Sequence, residues 1–190
     1  MPKIKYGLRN VHYAIATIAS DGTATYETPV PVPGAVNLNA DAQGSMDPFY
    51  ADDIVYYTGI SNQGYEGDLE MALLPDAFRK EVLGELEDSN GVLLEDMDAS
   101  VVHFALLFEF ANDDRKTRHV LYNCTATRPS VSGSTKNESI EPQTETVTIK
   151  ATSIYVAALT KDLVKASVPS TVATQYNGWF TAVYQPTALA

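Results

Sequence analysis

The sequence predicts a mainly β fold, a β-sandwich or β-barrel with one α-helix on its flank. Two observations lead to this prediction. Short stretches of alternating apolar and polar residues recur along the 190 residues, separated by turn residues, and they amount to about eight to ten strands. Only one stretch has clear helical spacing. Many short strands with a lone helix are typical of sandwiches and barrels.

The N-terminal strands form the first predicted hairpin. Residues 6–18 are rich in β-branched and aromatic side chains, and Asp21-Gly22 after them is a turn signal. Residues 23–28 can then return as the partner strand. Further along the chain, residues 54–58 and 67–74 also have the composition or the alternation of strands.

One helix is predicted from Pro75 to about Glu87. Proline suits the first turn of a helix, and Asp76 favours the positive end of the helix dipole. Four apolar residues then follow at helical spacing and give one apolar stripe: Phe78, Val82, Leu83 and Leu86. Gly84 is expected to weaken this helix without breaking it.

The second half of the chain returns to strand patterns. Residues 101–110 carry apolar side chains on one face and residues 118–127 alternate again, so the two are predicted to form a hairpin. Residues 144–152 predict another strand, and residues 179–184 a last one. Residues 153–178 follow no clear pattern, and their structure is left open.

An extended loop is predicted from Asp41 to Asp53. This segment contains glycine, proline and several acids, which are typical of loops. It also contains Met46, Phe49 and Tyr50. A solvated loop has little use for such large side chains, so the segment is expected to be covered by something other than itself.

Tyrosine is unusually frequent near this segment. Four of the eleven tyrosines fall within sixteen positions, interleaved with acids: Tyr50, Tyr56, Tyr57 and Tyr65. Tyrosine combines a large apolar ring with a polar tip, which suits protein interfaces. Packing in a β core explains the cluster equally well. Base stacking is a third interpretation, and the neighbouring acids argue against it.

Length and charge limit the classes of function. The length predicts one domain over residues 1–190. A net charge of −11 repels nucleic acid, because affinity for phosphates depends on Lys and Arg. No apolar run approaches the ~20 residues of a membrane span. The first residues lack the apolar region of a signal peptide, so synthesis in a cytoplasm is expected.

The sequence contains no recognisable catalytic set, and no catalytic, cofactor-binding or metal-binding residues are predicted. His12, His103 and His119 fall on separate strands. The carboxylates of Asp52-Asp53 would point to opposite faces of a strand and could not share a proton. The single cysteine, Cys124, lies in an alternating stretch, which favours a buried structural thiol over a nucleophile.

Six stretches carry a more specific resemblance: GLRNVHYA (7–14), VPGAV (32–36), PFYAD (48–52), SNQGYEGDLE (61–70), RHVLYNCT (118–125) and SIEPQTET (139–146). Together they resemble the major tail proteins of long-tailed, non-contractile bacteriophages. The resemblance extends over nearly the whole chain and is weakest in residues 153–178.

This resemblance implies a tail tube fold of two packed sheets with a flanking helix. Such proteins form rings, usually of six subunits, which stack into a hollow tube through which the genome passes. The implied partners are further copies of the chain and the tail tip or initiator, tape measure and tail terminator proteins. DNA passes without specific binding, no membrane is involved, and no enzymatic activity is expected. The implied location is the virion tail, assembled in the bacterial cytoplasm.

The segment from Asp41 to Asp53 is the candidate contact between subunits. Tube proteins of this type extend such a loop to the adjacent ring, so the segment is predicted to be mobile in the monomer and ordered in the tube. The predicted contact residues are Met46, Pro48, Phe49, Tyr50, Asp52 and Asp53. The alternative function is a carbohydrate-binding β-sandwich, a monomer that would use Tyr and Trp rings as sugar platforms.

Overall fold

The computed structural model describes residues 6–133, 135 and 143–188. The first four residues of the stretch 139–146 therefore lie outside the described residues. Within these ranges the chain forms sixteen short strands and two short helices. In the described part of the chain, neither helix is long and apolar enough to cross a membrane. The prediction of a mainly β fold is confirmed.

The elements follow one another in this order: β1 (Leu8–Ile18), β2 (Ala24–Tyr26), β3 (Val30–Pro31), β4 (Ala35–Leu38), β5 (Asp41–Gln43), β6 (Met46–Ala51), β7 (Ile54–Ile60), β8 (Gly64–Met71), α1 (Asp76–Glu81), β9 (Leu86–Glu87), β10 (Leu93–Leu94), β11 (His103–Phe110), β12 (Arg118–Ala126), β13 (Glu145–Thr152), β14 (Ile154–Val156), β15 (Lys161–Leu163), β16 (Lys165–Val168) and α2 (Ala173–Gly178).

Ten strands form one antiparallel sheet. Its main order is β2-β1-β11-β12-β13-β8-β4, while β3 pairs with β1, β5 with β8 and β16 with β12. The predicted hairpin in the second half of the chain is confirmed as β11 and β12, in which Phe108 lies opposite His119. Three separate two-stranded ribbons remain: β9 with β10, β14 with β15, and β6 with β7.

The central hairpin β11–β12 is buried on both faces. On one face Phe104 and Leu106 pack with Phe78 of α1, as the alternation of residues 101–110 predicts. On the other face Ala105 and Leu107 pack in a second cluster. This second cluster is closed by side chains from the last third of the chain: Ile154, Val156, Val168, Trp179 and Val183.

A buried ion cluster lies where β1, β11 and β12 meet. The carboxylate of Glu109 is almost fully buried and accepts hydrogen bonds from Arg9 Nε at 2.9 Å, Asn10 Nδ2 at 2.7 Å and Arg118 Nε at 2.8 Å. The guanidinium of Arg118 also lies 3.8 Å from the centroid of the Tyr176 ring. Burial alone would raise the pKa of Glu109, but these hydrogen bonds and the two arginine charges outweigh it and hold that pKa below its usual range.

The predicted helix from Pro75 to Glu87 is shorter than expected. It ends at Glu81, because Gly84 adopts a φ of +75°, a left-handed conformation that terminates helices. The expectation that Gly84 would not break the helix was therefore wrong. Leu86 belongs to β9 and is 56% exposed, whereas the remaining stripe residues, Phe78, Val82 and Leu83, are buried.

The region left open at residues 153–178 contains β14, β15, β16 and α2. The helix α2 has no buried residue of its own, so its sequence lacks the apolar stripe from which a helix could be predicted. The strand predicted at residues 179–184 was wrong. Trp179 caps the C-terminus of α2, and its buried indole Nε1 donates to the carbonyl of His119 at 3.2 Å. This residue therefore closes the second core cluster rather than extending the sheet.

The segment from Asp41 to Asp53 is not the predicted loop. It consists of β5, β6 and a tight turn, so the correction concerns its secondary structure. Pro48 removes one backbone donor, but a strand with one free edge tolerates proline. That residues 1–190 form a single domain stays a prediction.

Candidate assembly interface

Strands β6 and β7 form a two-stranded antiparallel hairpin, called the ribbon below (residues 46–60). Among the described residues, these strands pair with each other and with no further strand. The register places Met46 opposite Ile60 and Phe49 opposite Tyr57. A bulge after Phe49 shifts the register. The ribbon is therefore a separate unit attached to the sheet at its base.

The base of the ribbon is fixed by close backbone contacts. Ser45 N donates to Ser61 Oγ at 3.0 Å, and Ser61 N donates to Ser45 O at the same distance. A Cβ on Gly44 would lie 2.2 Å from the carbonyl oxygen of Ser61, so only glycine fits there without a backbone shift. Because β5 pairs with β8 just before this point, the ribbon continues two strands of the main sheet beyond its edge.

The tip of the ribbon is a two-residue turn formed by Asp52 and Asp53. Their φ angles are 50° and 60°. Two successive residues with positive φ are typical of a type I′ turn, whose twist matches that of the strands it joins. Aspartate tolerates this conformation better than most side chains. The turn geometry gives the two adjacent acids a local structural role.

Both faces of the ribbon present large apolar side chains to solvent. All eight are at least 51% exposed: Met46, Phe49, Tyr50, Ile54, Val55, Tyr56, Tyr57 and Ile60. Since side chains alternate along a strand, the pair Met46–Ile60 and the pair Phe49–Tyr57 lie on opposite faces. A two-stranded hairpin of this kind is only marginally stable in water by itself.

The charge of the ribbon has one sign. Asp47, Asp52 and Asp53 lie within residues 46–60, and the same range contains no Lys or Arg. The acids therefore have no basic partner within the ribbon. The ribbon combines an apolar body with an acidic tip.

The six predicted contact residues lie together in this ribbon. Met46, Pro48, Phe49 and Tyr50 are on β6, and Asp52 and Asp53 form the turn. Whether they contact another subunit stays a prediction. Sequence reasoning missed the other half of the ribbon, because it interpreted residues 54–58 as an ordinary strand. The available signal was that IVYYTGI is apolar at consecutive positions, which places such side chains on both faces.

The exposure of three tyrosines argues against packing in the β core as the explanation of the tyrosine cluster, whereas their role in an interface stays a prediction. Tyr50, Tyr56 and Tyr57 are 62%, 74% and 67% exposed, so packing within their own chain does not explain them. Tyr65 is partly buried, and Lys165 Nζ lies 4.6 Å from the centroid of its ring.

Two side chains of reactive types, Cys124 and His103, have structural surroundings. The prediction that Cys124 is a buried thiol is confirmed, since it is fully buried, and burial raises its pKa to about 12. The ring nitrogen Nδ1 of His103 lies 2.7 Å from Oδ1 of Asn123. In the described part of the chain, no group of three or more His, Cys, Asp and Glu residues is placed to hold a metal ion.

The chain matches a model of a known protein family and is similar to solved structures. A model of the family described as phage tail tube protein matches residues 1–189. Among solved structures, the chain is similar to the tube-terminating cap of the anti-feeding prophage, determined by cryo-electron microscopy, with a TM-score of 0.43 and 11% sequence identity. That similarity covers 89% of this chain and 95% of the cap chain. No curated protein matches the sequence.

Proposed function

Since this chain belongs to the phage tail tube protein family, we propose that it assembles into rings of six that stack into the hollow tail tube of a long-tailed, non-contractile phage. Its role is structural rather than catalytic. The observation that carries the proposal is the ribbon, whose exposed apolar side chains have no cover in the described part of their own chain. Large exposed apolar surfaces of this kind mark sites of association.

The free energy available from covering the ribbon is substantial. Full burial of one large apolar side chain contributes about 1.5–3 kcal/mol. Eight such side chains are exposed on the ribbon, so even partial burial in the tube offsets part of the entropy lost on association. Covering the ribbon therefore favours the assembled state.

The ribbon is mobile in the monomer and becomes ordered in the tube. In the monomer it has cross-strand pairs but neither face is covered, and such a hairpin fluctuates. Ordering costs conformational entropy at each contact, so single contacts are weak and assembly is cooperative. The six residues predicted from the sequence, together with their partners on β7, make this contact.

The net charge of −11 suits passage of the genome. A lumen lined by Lys and Arg would hold the DNA phosphates and retard transit, whereas acidic side chains repel the phosphates and keep a hydrated gap. DNA then moves through the tube without specific binding.

The remaining partners follow from this role. A tail tip or initiator complex starts the tube, a tape measure protein lies inside it during assembly, and a terminator protein closes its end. The protein is located in the virion tail after assembly in the bacterial cytoplasm.

The test is assembly of purified protein, alone and with the matching tail-tip complex. Negative-stain electron microscopy and size-exclusion chromatography should show rings or tubes for the unaltered chain. The double variant Phe49→Ser/Tyr50→Ser should fold as before, judged by circular dichroism, and fail to stack. Val172→Ser is the matched control, since it replaces an exposed apolar side chain outside the ribbon.

Hydrogen exchange checks the ordering step. Amides of residues 46–60 should exchange rapidly in the monomer and slowly in the tube. Equal protection in the two states would contradict the ordering step. A chain that stays monomeric with the tail-tip complex present would contradict the assembly itself, and saccharide affinity in that monomer would favour the carbohydrate-binding alternative.

A further inference from the structure

A second group of exposed apolar side chains lies away from the ribbon. It consists of six residues, called the far-end patch below: Leu73, Leu86, Val92, Leu94, Met97 and Val101, which are 48–91% exposed. Leu86 and Leu94 lie directly opposite each other in the β9–β10 pair. Of the eighteen large apolar side chains exposed in the described ranges, eight belong to the ribbon and six to this patch. The exposed apolar surface of the chain is therefore concentrated in two places.

The strand directions place these two surfaces at opposite ends of the molecule. The ribbon leaves the sheet at the N-terminal end of β8, and Leu73 lies just past the C-terminal end of the same strand. At about 3.3 Å per residue, the eight residues of β8 separate the two ends by roughly 25 Å.

Strand directions and one ion pair place the rest of the patch at that far end. Strands β8 and β12 both run antiparallel to β13 and therefore point the same way. Arg128, which follows β12, forms an ion pair with Glu95 at 2.8 Å and so holds the chain next to Leu94. Val101 precedes β11, which runs antiparallel to β12 and begins at the same end.

We propose that the far-end patch of one copy receives the ribbon of the next copy along the tube. This inference rests on the proposed function and names the receiving surface. Two different apolar surfaces on one chain make a head-to-tail contact, and such a contact repeats in one direction without closing. Because the surfaces lie at opposite ends of β8, the repeat runs along the strand direction and joins one ring to the next.

The charges on the two surfaces argue against salt bridges as the main attraction between them. The charged side chains of the ribbon are all acidic, and the patch is flanked by Asp88, Asp96 and Asp98. The nearby basic side chains are engaged, since Lys80 binds Glu87 at 2.7 Å and Arg128 binds Glu95. Apolar burial therefore drives the contact against a mild electrostatic repulsion.

Cysteine cross-linking tests the proposal directly. Cys124 is fully buried and protonated at neutral pH, so it should not react and only the introduced cysteines should form cross-links. Tubes are assembled from a mixture of Leu94→Cys protein with either Tyr57→Cys or Ile60→Cys protein, which probe the two faces of the ribbon. Oxidation or a short bismaleimide should give heterodimers for at least one of the two mixtures.

The matched control places the second cysteine at the near end. Lys116→Cys lies in the turn between β11 and β12, at the end of the sheet from which the ribbon leaves, and should give no heterodimer. Cross-links to Lys116→Cys instead of Leu94→Cys would overturn the proposal, as would tubes that cross-link at neither position. If the unaltered chain forms no tubes at all, the proposed function fails and this inference fails with it.

Complementation gives a second, independent measure. Phe49→Ser/Tyr57→Ser lacks the ribbon contact and Leu94→Ser/Met97→Ser lacks the patch contact, so each alone should need about tenfold or more protein to form tubes. Mixed together, they retain one intact contact between unlike rings and should give short ring pairs but no long tubes. Full-length tubes from the patch variant alone would overturn the proposal.

Discussion

The central hairpin β11–β12 and the ribbon are both rich in apolar side chains, but the first is buried and the second is exposed. Six successive residues of β11, from Phe104 to Glu109, are buried, whereas every large apolar side chain of the ribbon is at least half exposed. Both hairpins carry apolar side chains on both faces. The central hairpin is covered by α1 on one face and by the C-terminal third on the other. A strand with apolar side chains on both faces needs a cover on each face, and in the proposed tube the cover of the ribbon comes from another copy of the chain.

The largest expected effect is the difference in the free energy of unfolding between a substitution in the central hairpin and one in the ribbon. Leu106→Ala should lower the free energy of unfolding of the monomer by about 2–5 kcal/mol, because it leaves a cavity at a fully buried position. Tyr57→Ala removes a larger side chain and should change the same quantity by less than about 0.5 kcal/mol. Chemical denaturation of the monomer measures both.

Tube formation should rank these two variants in the reverse order. Tyr57→Ala should assemble poorly although it folds normally, while any folded fraction of Leu106→Ala should assemble. If Tyr57→Ala unfolds as easily as Leu106→Ala, the ribbon is part of the monomer's own core and the comparison fails.

The sequence predicted both strands of the central hairpin, but in the ribbon it predicted only β7 and interpreted β6 as part of a loop. The alternation in residues 101–110 identified one buried face of β11, but Ala105 and Leu107 became buried only because Trp179 and Val183 return over them. That return depends on α2, whose residues carry no apolar stripe. Contacts between distant segments leave no mark on local periodicity.

The candidate site shows the same limit. The sequence indicated the proposed contact segment through Met46, Phe49 and Tyr50, large side chains among loop-forming residues. It did not predict that Asp52-Asp53 would form a turn with positive φ, which folds the segment back on residues 54–60. The usual pairs of a type I′ turn, such as Asn-Gly and Asp-Gly, have glycine at the second position, and Asp53 occupies that position here, so the turn signal was weak. Likewise, the sequence did not predict the positive φ of Gly84, after which the chain enters β9 instead of continuing α1.

A pH-dependent effect is expected at the buried ion cluster of the central hairpin. Glu109→Gln should lower the free energy of unfolding at pH 7 by about 3 kcal/mol, since Arg118 and Arg9 lose their buried partner. The pKa of Glu109 is lower in the folded chain than in the unfolded chain. The ionised carboxylate therefore contributes its full stabilisation above the unfolded pKa, about 4.3. This contribution is lost as pH falls through the folded pKa. Denaturation at a series of pH values should show the two proteins converging below about pH 4. A difference that stays constant with pH would mean that the charge of Glu109 is not the source of its contribution.

Salt should act on the ribbon in the opposite sense to an ordinary ion-paired interface. The ribbon and the surroundings of the far-end patch are both acidic, so screening reduces repulsion between them. Raising the salt concentration from about 0.05 M to 0.5 M should lower the protein concentration needed for tubes by severalfold, without changing the stability of the monomer by more than a few tenths of a kcal/mol. Light scattering during assembly measures this. Weaker assembly in salt would indicate that the ribbon binds a basic surface, such as the turn that carries Arg115 and Lys116.

The smallest expected effect concerns the turn of the ribbon. Glycine adopts positive φ without the steric cost that aspartate bears at +60°, so Asp53→Gly should stabilise the ribbon by about 0.5 kcal/mol. Because the ribbon is not part of the core, this gain should appear as slower hydrogen exchange in residues 46–60 of the monomer and not as a higher melting temperature. A ribbon that is already ordered loses less entropy on assembly, so tubes should form at about half the protein concentration. Asp53→Gly also removes one negative charge, and Asp47→Asn is the matched control because it removes a charge from the strand and leaves the turn intact. Equal exchange rates in both variants would show that charge, not turn geometry, limits the order of the ribbon.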